Sequence, residues 1–148
     1  MARGLVVAGL LALVALPAAP AAAGQADAPA ALASELNDVR AQRGLAPLES
    51  APTLLASAGR YARTLARAGR FGHTGISPRN GFRHVGEALA MHRGSQPAPH
   101  RTLRSLLRSP PHRALLLSSH FNRVGLGHAS GRVGGVSSTI WVVHLGAR

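Results

Sequence analysis

The chain has 148 residues, with 17 basic and five acidic side chains, a formal charge of +12, no cysteine, and only three Phe, one Tyr and one Trp. This length holds one domain around one core. The lack of cysteine excludes a disulfide-stapled fold, and the scarcity of aromatics excludes a stacking platform for bases or sugars. Every basic residue is arginine, and after Glu49 the only carboxylate side chain is Glu87.

Residues 1–26 read as a secretory signal peptide. Arg3 makes a basic start, Leu5 to Leu16 is apolar apart from Gly9, and the small residues from Pro17 to Ala23 end in Ala-x-Ala, so cleavage is expected between 23 and 26. An apolar run of about 12 residues falls short of the roughly 20 needed to span a bilayer, so no transmembrane helix is expected in the mature chain, residues 27–148. The expected location is secreted or periplasmic. For an exported, strongly cationic monomer the expected partner is an anionic envelope component, a lipid headgroup or an acidic wall polymer, or a protein, and not nucleic acid.

Asp27 with Pro29 offers a helix start, and Leu32, Leu36 and Val39 recur at helical spacing until Gly44. A short extended connector, Leu45 to Leu48, leads to a second helix from Ser50 to Gly69. Its buried face is Leu54, Ala58, Tyr61, Ala62 and Leu65, and Arg60, Arg63, Arg67 and Arg70 form a like-charged stripe that wants a counter-charge from elsewhere. Residues 71–83 break into a Gly-rich loop carrying His73. Val85 to Met91 reads as a strand or as the lead-in to a helix.

A third helix over Pro99 to Arg108 buries Leu103, Leu106 and Leu107 and shows Arg101, Arg104 and Arg108 on another face. Ser109-Pro-Pro ends it and caps the next helix, which places His112 in its first turn, where the helix dipole favours the neutral imidazole. After Phe121 the period falls to two, predicting strands around Val124–Leu126 and Ile140–Leu145, with a hairpin connection over Ser130 to Gly135.

Glu87, standing alone among arginines, is the leading site candidate, weighed against a plain salt bridge to Arg83 or Arg93. Three pieces gather around it: Arg70-Phe-Gly-His73, Gly86-Glu87-Ala-Leu-Ala90 and Ser109-Pro-Pro-His112-Arg113. Leu36-Asn-x-x-Arg40, Gly44-Leu-Ala-Pro-Leu48, Arg123-Val-Gly-Leu-Gly127 and Trp141-Val-Val-His-Leu-Gly146 flank them. In this order the motifs resemble the CAP superfamily of cysteine-rich secretory, antigen 5 and pathogenesis-related 1 proteins, in its bacterial secreted SCP-like branch. The resemblance implies an α+β fold, a three-layer α-β-α sandwich, and a cleft shared by His73, Glu87 and His112. A second glutamate that some members carry has no counterpart.

Two imidazoles and a carboxylate also suffice to hold a divalent metal such as zinc with an open position. His73, Glu87 and His112 are therefore candidates both as metal ligands and as catalytic groups. His84, His92, His100, His120, His128 and His144 are expected to be surface or hairpin residues, His144 sharing a strand face with Ile140 and Val142. Two functions stand side by side: a secreted binding module for an envelope or extracellular ligand, and a metal-assisted hydrolase using the same cleft.

Overall fold

A computed structural model describes residues 27–77 and 81–148, so the signal-peptide reading of residues 1–26 lies outside the described residues. The elements run α1 (Ala28–Ala41), β1 (Glu49–Ser50), α2 (Pro52–Ala68), β2 (His84–Arg93), α3 (Pro99–Arg108), α4 (Pro110–Leu116), β3 (Arg123–Val133) and β4 (Val136–Ala147). The strands form one sheet in the order β1-β3-β4-β2, with β1 parallel to β3 and the other neighbours antiparallel.

Side chains alternate across a strand, so the sheet has two apolar faces and each needs a cover. On one face, α2 lays Ala58, Ala62, Leu65 and Ala66 against Leu89, Ile140 and Val142. On the other, Leu32 and Leu36 of α1, Leu103 and Leu106 of α3 and Leu116 of α4 close over Ala88, Leu126, Trp141, Val143 and Leu145. The result is the expected α-β-α sandwich, an α+β fold.

The glycine alternation in β3 has a steric cause. A Cβ on Gly125 would lie 2.0 Å from the Leu54 carbonyl carbon, and one on Gly127 would lie 2.5 Å from the Gly59 backbone. Thus α2 rides directly on the backbone of β3, and only glycine leaves room.

Some boundaries differ from the sequence expectation. Ser50 belongs to β1 and not to a helix, because backbone bonds from Glu49 N–H to Asn122 and from Ala51 N–H to Val124 hold this segment on β3. β2 is a strand along its whole length, paired with β4 from His84↔Ala147 to Arg93↔Ser138. The β3–β4 connection is not Ser130–Gly135 but the pair Gly134-Gly135 alone, with φ of 55° and 81°. Two consecutive left-handed residues make a turn whose twist matches the strands, so the ladder runs on to Val133↔Val136. Asp27 and Ser109 occupy helix-start positions without a side-chain capping bond.

Candidate functional site

β2 is an edge strand, and Glu87 lies midway along it on the face covered by α2. Its side chain is 6% exposed, so both oxygens need partners inside the protein. Both have one. His73 Nδ1 lies 2.7 Å from Oε1 and His144 Nε2 lies 3.1 Å from Oε2. Neither Arg83 nor Arg93 takes part; among the described residues the other ion pairs are Glu49–Arg123 and Glu35–His100. The simple salt-bridge reading of Glu87 therefore fails.

His73 comes from the loop after α2, which Tyr61 ties down by donating its hydroxyl to the Gly72 carbonyl at 2.6 Å. The His73 side chain is 54% exposed. His112, half-buried in the first turn of α4, brings its ring to 6.3 Å from that of His73. Burial is the main cause holding His112 below the usual imidazole pKa, and the neighbouring His73 adds to it. Neutrality was expected from the helix dipole; the causes in the structure are burial and the second imidazole.

His144 corrects the sequence reading. It is not a surface or hairpin residue: its side chain is 5% exposed, and it sits directly across the ladder from Glu87. Its Nδ1 lies 2.6 Å from Ser57 Oγ on α2, and the Tyr61 ring is nearly parallel to it at 6.4 Å between centroids. Burial pushes the His144 pKa down, opposed by the hydrogen bond and the charge of Glu87.

A carboxylate can only accept, so the neutral imidazole carries its proton on Nε2 toward Glu87 and leaves Nδ1 to accept the Ser57 hydroxyl. The Leu54 carbonyl, 3.1 Å from the same oxygen, is the more distant acceptor. Ser57 was absent from the candidate residues because a serine within an Ala-rich helix carries no signal of its own. His144 carried a faint one, as the single polar side chain in the run Ile140 to Leu145.

The other histidines occupy separate places. His84 and His120 meet edge to face, His100 pairs with Glu35, His92 lies beside its neighbour's carbonyl, and His128 packs on Trp141. Among the described residues, no group of three or more His, Cys, Asp or Glu side chains is disposed to hold a metal ion. Both Glu87 oxygens are bonded to imidazole nitrogens. With Nδ1–H of His73 donated to Glu87, the carboxylate orients that ring.

Residues 33–145 match the family model described as CAP, the cysteine-rich secretory protein family. The chain belongs to this family. Solved structures agree: an outer surface protein from Borrelia burgdorferi superposes with a TM-score of 0.68 at 25% identity, covering 82% of this chain and 93% of that one. An extracellular protein containing an SCP domain from Bacillus anthracis gives 0.64 at 18% identity, covering 90% of this chain and 45% of that one. A cysteine-rich secretory protein from Staphylococcus aureus gives 0.54 at 18% identity, covering 84% and 40%. No curated protein matches the sequence. The CAP domain here is a cysteine-free member, with both sheet faces packed by helices.

Proposed function

We propose that this CAP domain is an exported binding module that docks on an anionic component of the cell envelope through its arginine faces. The observation that carries the reading is a cleft of about 510 Å³ lined by Arg101, Arg104 and Arg108 of α3 together with His100 and Ser105. No carboxylate lines it, and none of the three arginines belongs to an ion pair among the described residues. Like-charged guanidinium groups lining one cleft favour the entry of an anion, and their planar forks suit phosphate or carboxylate oxygens. The exposed Arg60, Arg63 and Arg67 of α2, with Arg70 just past its end, add a second basic face. The exterior setting of the outer surface and extracellular relatives supports the same reading, and none of the described helices is long and apolar enough to cross a membrane.

The cleft of His73, Glu87 and His112 belongs to the proposal as the place where a divalent metal such as zinc is taken up. His73 and His112 would hold the ion, and Glu87 would fix the His73 ring. Such an ion would supply Lewis acidity, the basis of the hydrolase alternative.

The docking reading is tested by sedimentation with phosphatidylglycerol vesicles and, separately, with an acidic wall polymer. Binding is expected at low salt and should collapse as the Debye length shrinks from about 30 Å at 0.01 M to about 8 Å at 0.15 M. Replacing Arg101, Arg104 and Arg108 with glutamine should weaken it more than replacing Arg60, Arg63 and Arg67. Binding indifferent to salt, or equal in wild type and both triple variants, would refute the reading.

A further inference from the structure

A second cleft, of about 290 Å³, lies on the α2 side of the sheet and is lined by Ser57, Arg60 and His144 with the apolar walls Leu54, Phe82 and Val85. None of His73, Glu87 and His112 lines it. At its wall a hydroxyl and an imidazole stand in line with a carboxylate behind them: Ser57 Oγ 2.6 Å from His144 Nδ1, and His144 Nε2 3.1 Å from Glu87 Oε2. Ser57 and His144 both line the cleft, and Glu87 stands behind the ring.

We propose that Ser57, His144 and Glu87 form a nucleophile–base–orienting carboxylate relay that hydrolyses carboxylic esters with a small apolar acyl group. The relay needs one imidazole nitrogen accepting from the hydroxyl and the other donating to an acid, whichever nitrogen takes which part. With Nε2–H donated to Glu87, the Nδ1 that faces the Ser57 hydroxyl is the accepting nitrogen and is placed to act as a base. Arg60, one helical turn beyond Ser57, lines the same cleft, and in none of the ion pairs among the described residues is it a member. Its charge is therefore free to stabilise an oxyanion.

The chemistry balances without a further reactant. Ser57 Oγ bonds to the ester carbonyl carbon as its proton passes to His144 Nδ1. The tetrahedral oxyanion then collapses, the carbon–alkoxy bond breaks, and the alcohol leaves with that proton. Water attacks the acyl-serine, gives a proton to His144 Nδ1, and the carboxylic acid departs as Ser57 recovers its hydrogen. Ser57 and His144 are the catalytic residues. Glu87 is a positioning residue, holding the tautomer.

The test uses the mature chain with a fluorophosphonate probe and with p-nitrophenyl acetate, both in the presence of EDTA. One equivalent of probe is expected on Ser57. The tryptic peptide Gly44 to Arg60 localises it, and fragmentation separates Ser57 from Ser50 and Thr53. Ester turnover should disappear in Ser57→Ala, and labelling should slow about 100-fold or more in His144→Gln, the usual worth of a positioned base. Glu87→Gln should slow labelling and shift the His144 ring nitrogen signals without moving the proton from Nε2, which a merely structural carboxylate would not do together. Absence of labelling, a label on Ser77 or Tyr61, labelling of His144→Gln at the wild-type rate, or loss of activity to the chelator would each overturn the proposal. The site of the label on the wild-type chain decides the matter even where a variant does not fold.

Discussion

Replacing Glu87 by glutamine and by alanine should separate two roles that the carboxylate combines. As a carboxylate it accepts from His73 Nδ1–H and His144 Nε2–H. Glutamine keeps one carbonyl oxygen and turns an amide N–H₂ toward the other ring, so one imidazole must become an acceptor. His73 is the ring that changes, because it is more than half exposed and water satisfies its Nε2 when the proton moves there. His144 cannot do so freely, since both of its nitrogens are bonded inside the protein. Glu87→Gln then loses mainly the charge assistance of one buried bond, about 1 kcal/mol. Glu87→Ala leaves the His144 Nε2–H buried without an acceptor, about 1–3 kcal/mol, and removes packed atoms besides, for about 3–4 kcal/mol in total.

At about 4 °C per kcal/mol for a domain of this size, the expected falls in Tm are about 4 °C and about 12–16 °C. Nitrogen NMR should show the His73 proton moving from Nδ1 to Nε2 in the glutamine variant while His144 keeps its wild-type tautomer. In both variants the His144 pKa should fall further, since the charge of Glu87 that raises it is lost, and in Glu87→Ala the hydrogen bond as well. Equal melting of the two variants, or a proton found on His144 Nδ1 in Glu87→Gln, would refute this account of the site.

Three further outcomes follow from the same geometry. His144 and His112 both have folded pKa values below the ordinary 6.5, so below that pH the unfolded chain binds protons that the folded chain refuses; stability should be full above about pH 6.5 and fall with acidification, and melts of His144→Gln should show a weaker fall, the larger share lying with the more buried His144. Gly125→Ala should destabilise by about 3 kcal/mol or more, because its Cβ would strike the backbone of Leu54, which no rotamer relieves, whereas Gly72→Ala meets nothing within 4 Å and should be neutral or slightly stabilising in denaturant titration. Calorimetry with zinc at pH 7.5 should give binding that weakens as pH drops through the imidazole range and vanishes in a His73→Ala, His112→Ala double variant; heat unchanged in that variant would remove the metal from the cleft.

How much of this was legible in the sequence depends on which parts are local. The helices and the arginine stripes follow from a 3.6-residue period contained within single segments, and α3 matches its expected bounds, Pro99–Arg108. Glu87 stood out by the scarcity of acids, while His73 and His112 emerged only through the motifs around them. Ser57 and His144 could not be found this way, because their meeting depends on register. The Gly134-Gly135 turn sets Gly125 opposite His144, and the β2–β4 ladder sets Glu87 on the other side of the same residue. A slip of one residue in either ladder would turn His144 to the opposite face and dissolve the relay. With the turn spread over Ser130 to Gly135, that register was undetermined and His144 read as an ordinary hairpin residue. The missing information was nevertheless present in another form. Gly125 and Gly127 looked like mere strand alternation, yet they mark where a helix backbone lies against the sheet. At Gly125 that backbone belongs to Leu54, one turn before Ser57, so the contact that demands a glycine is also the one that lowers the serine hydroxyl onto the imidazole.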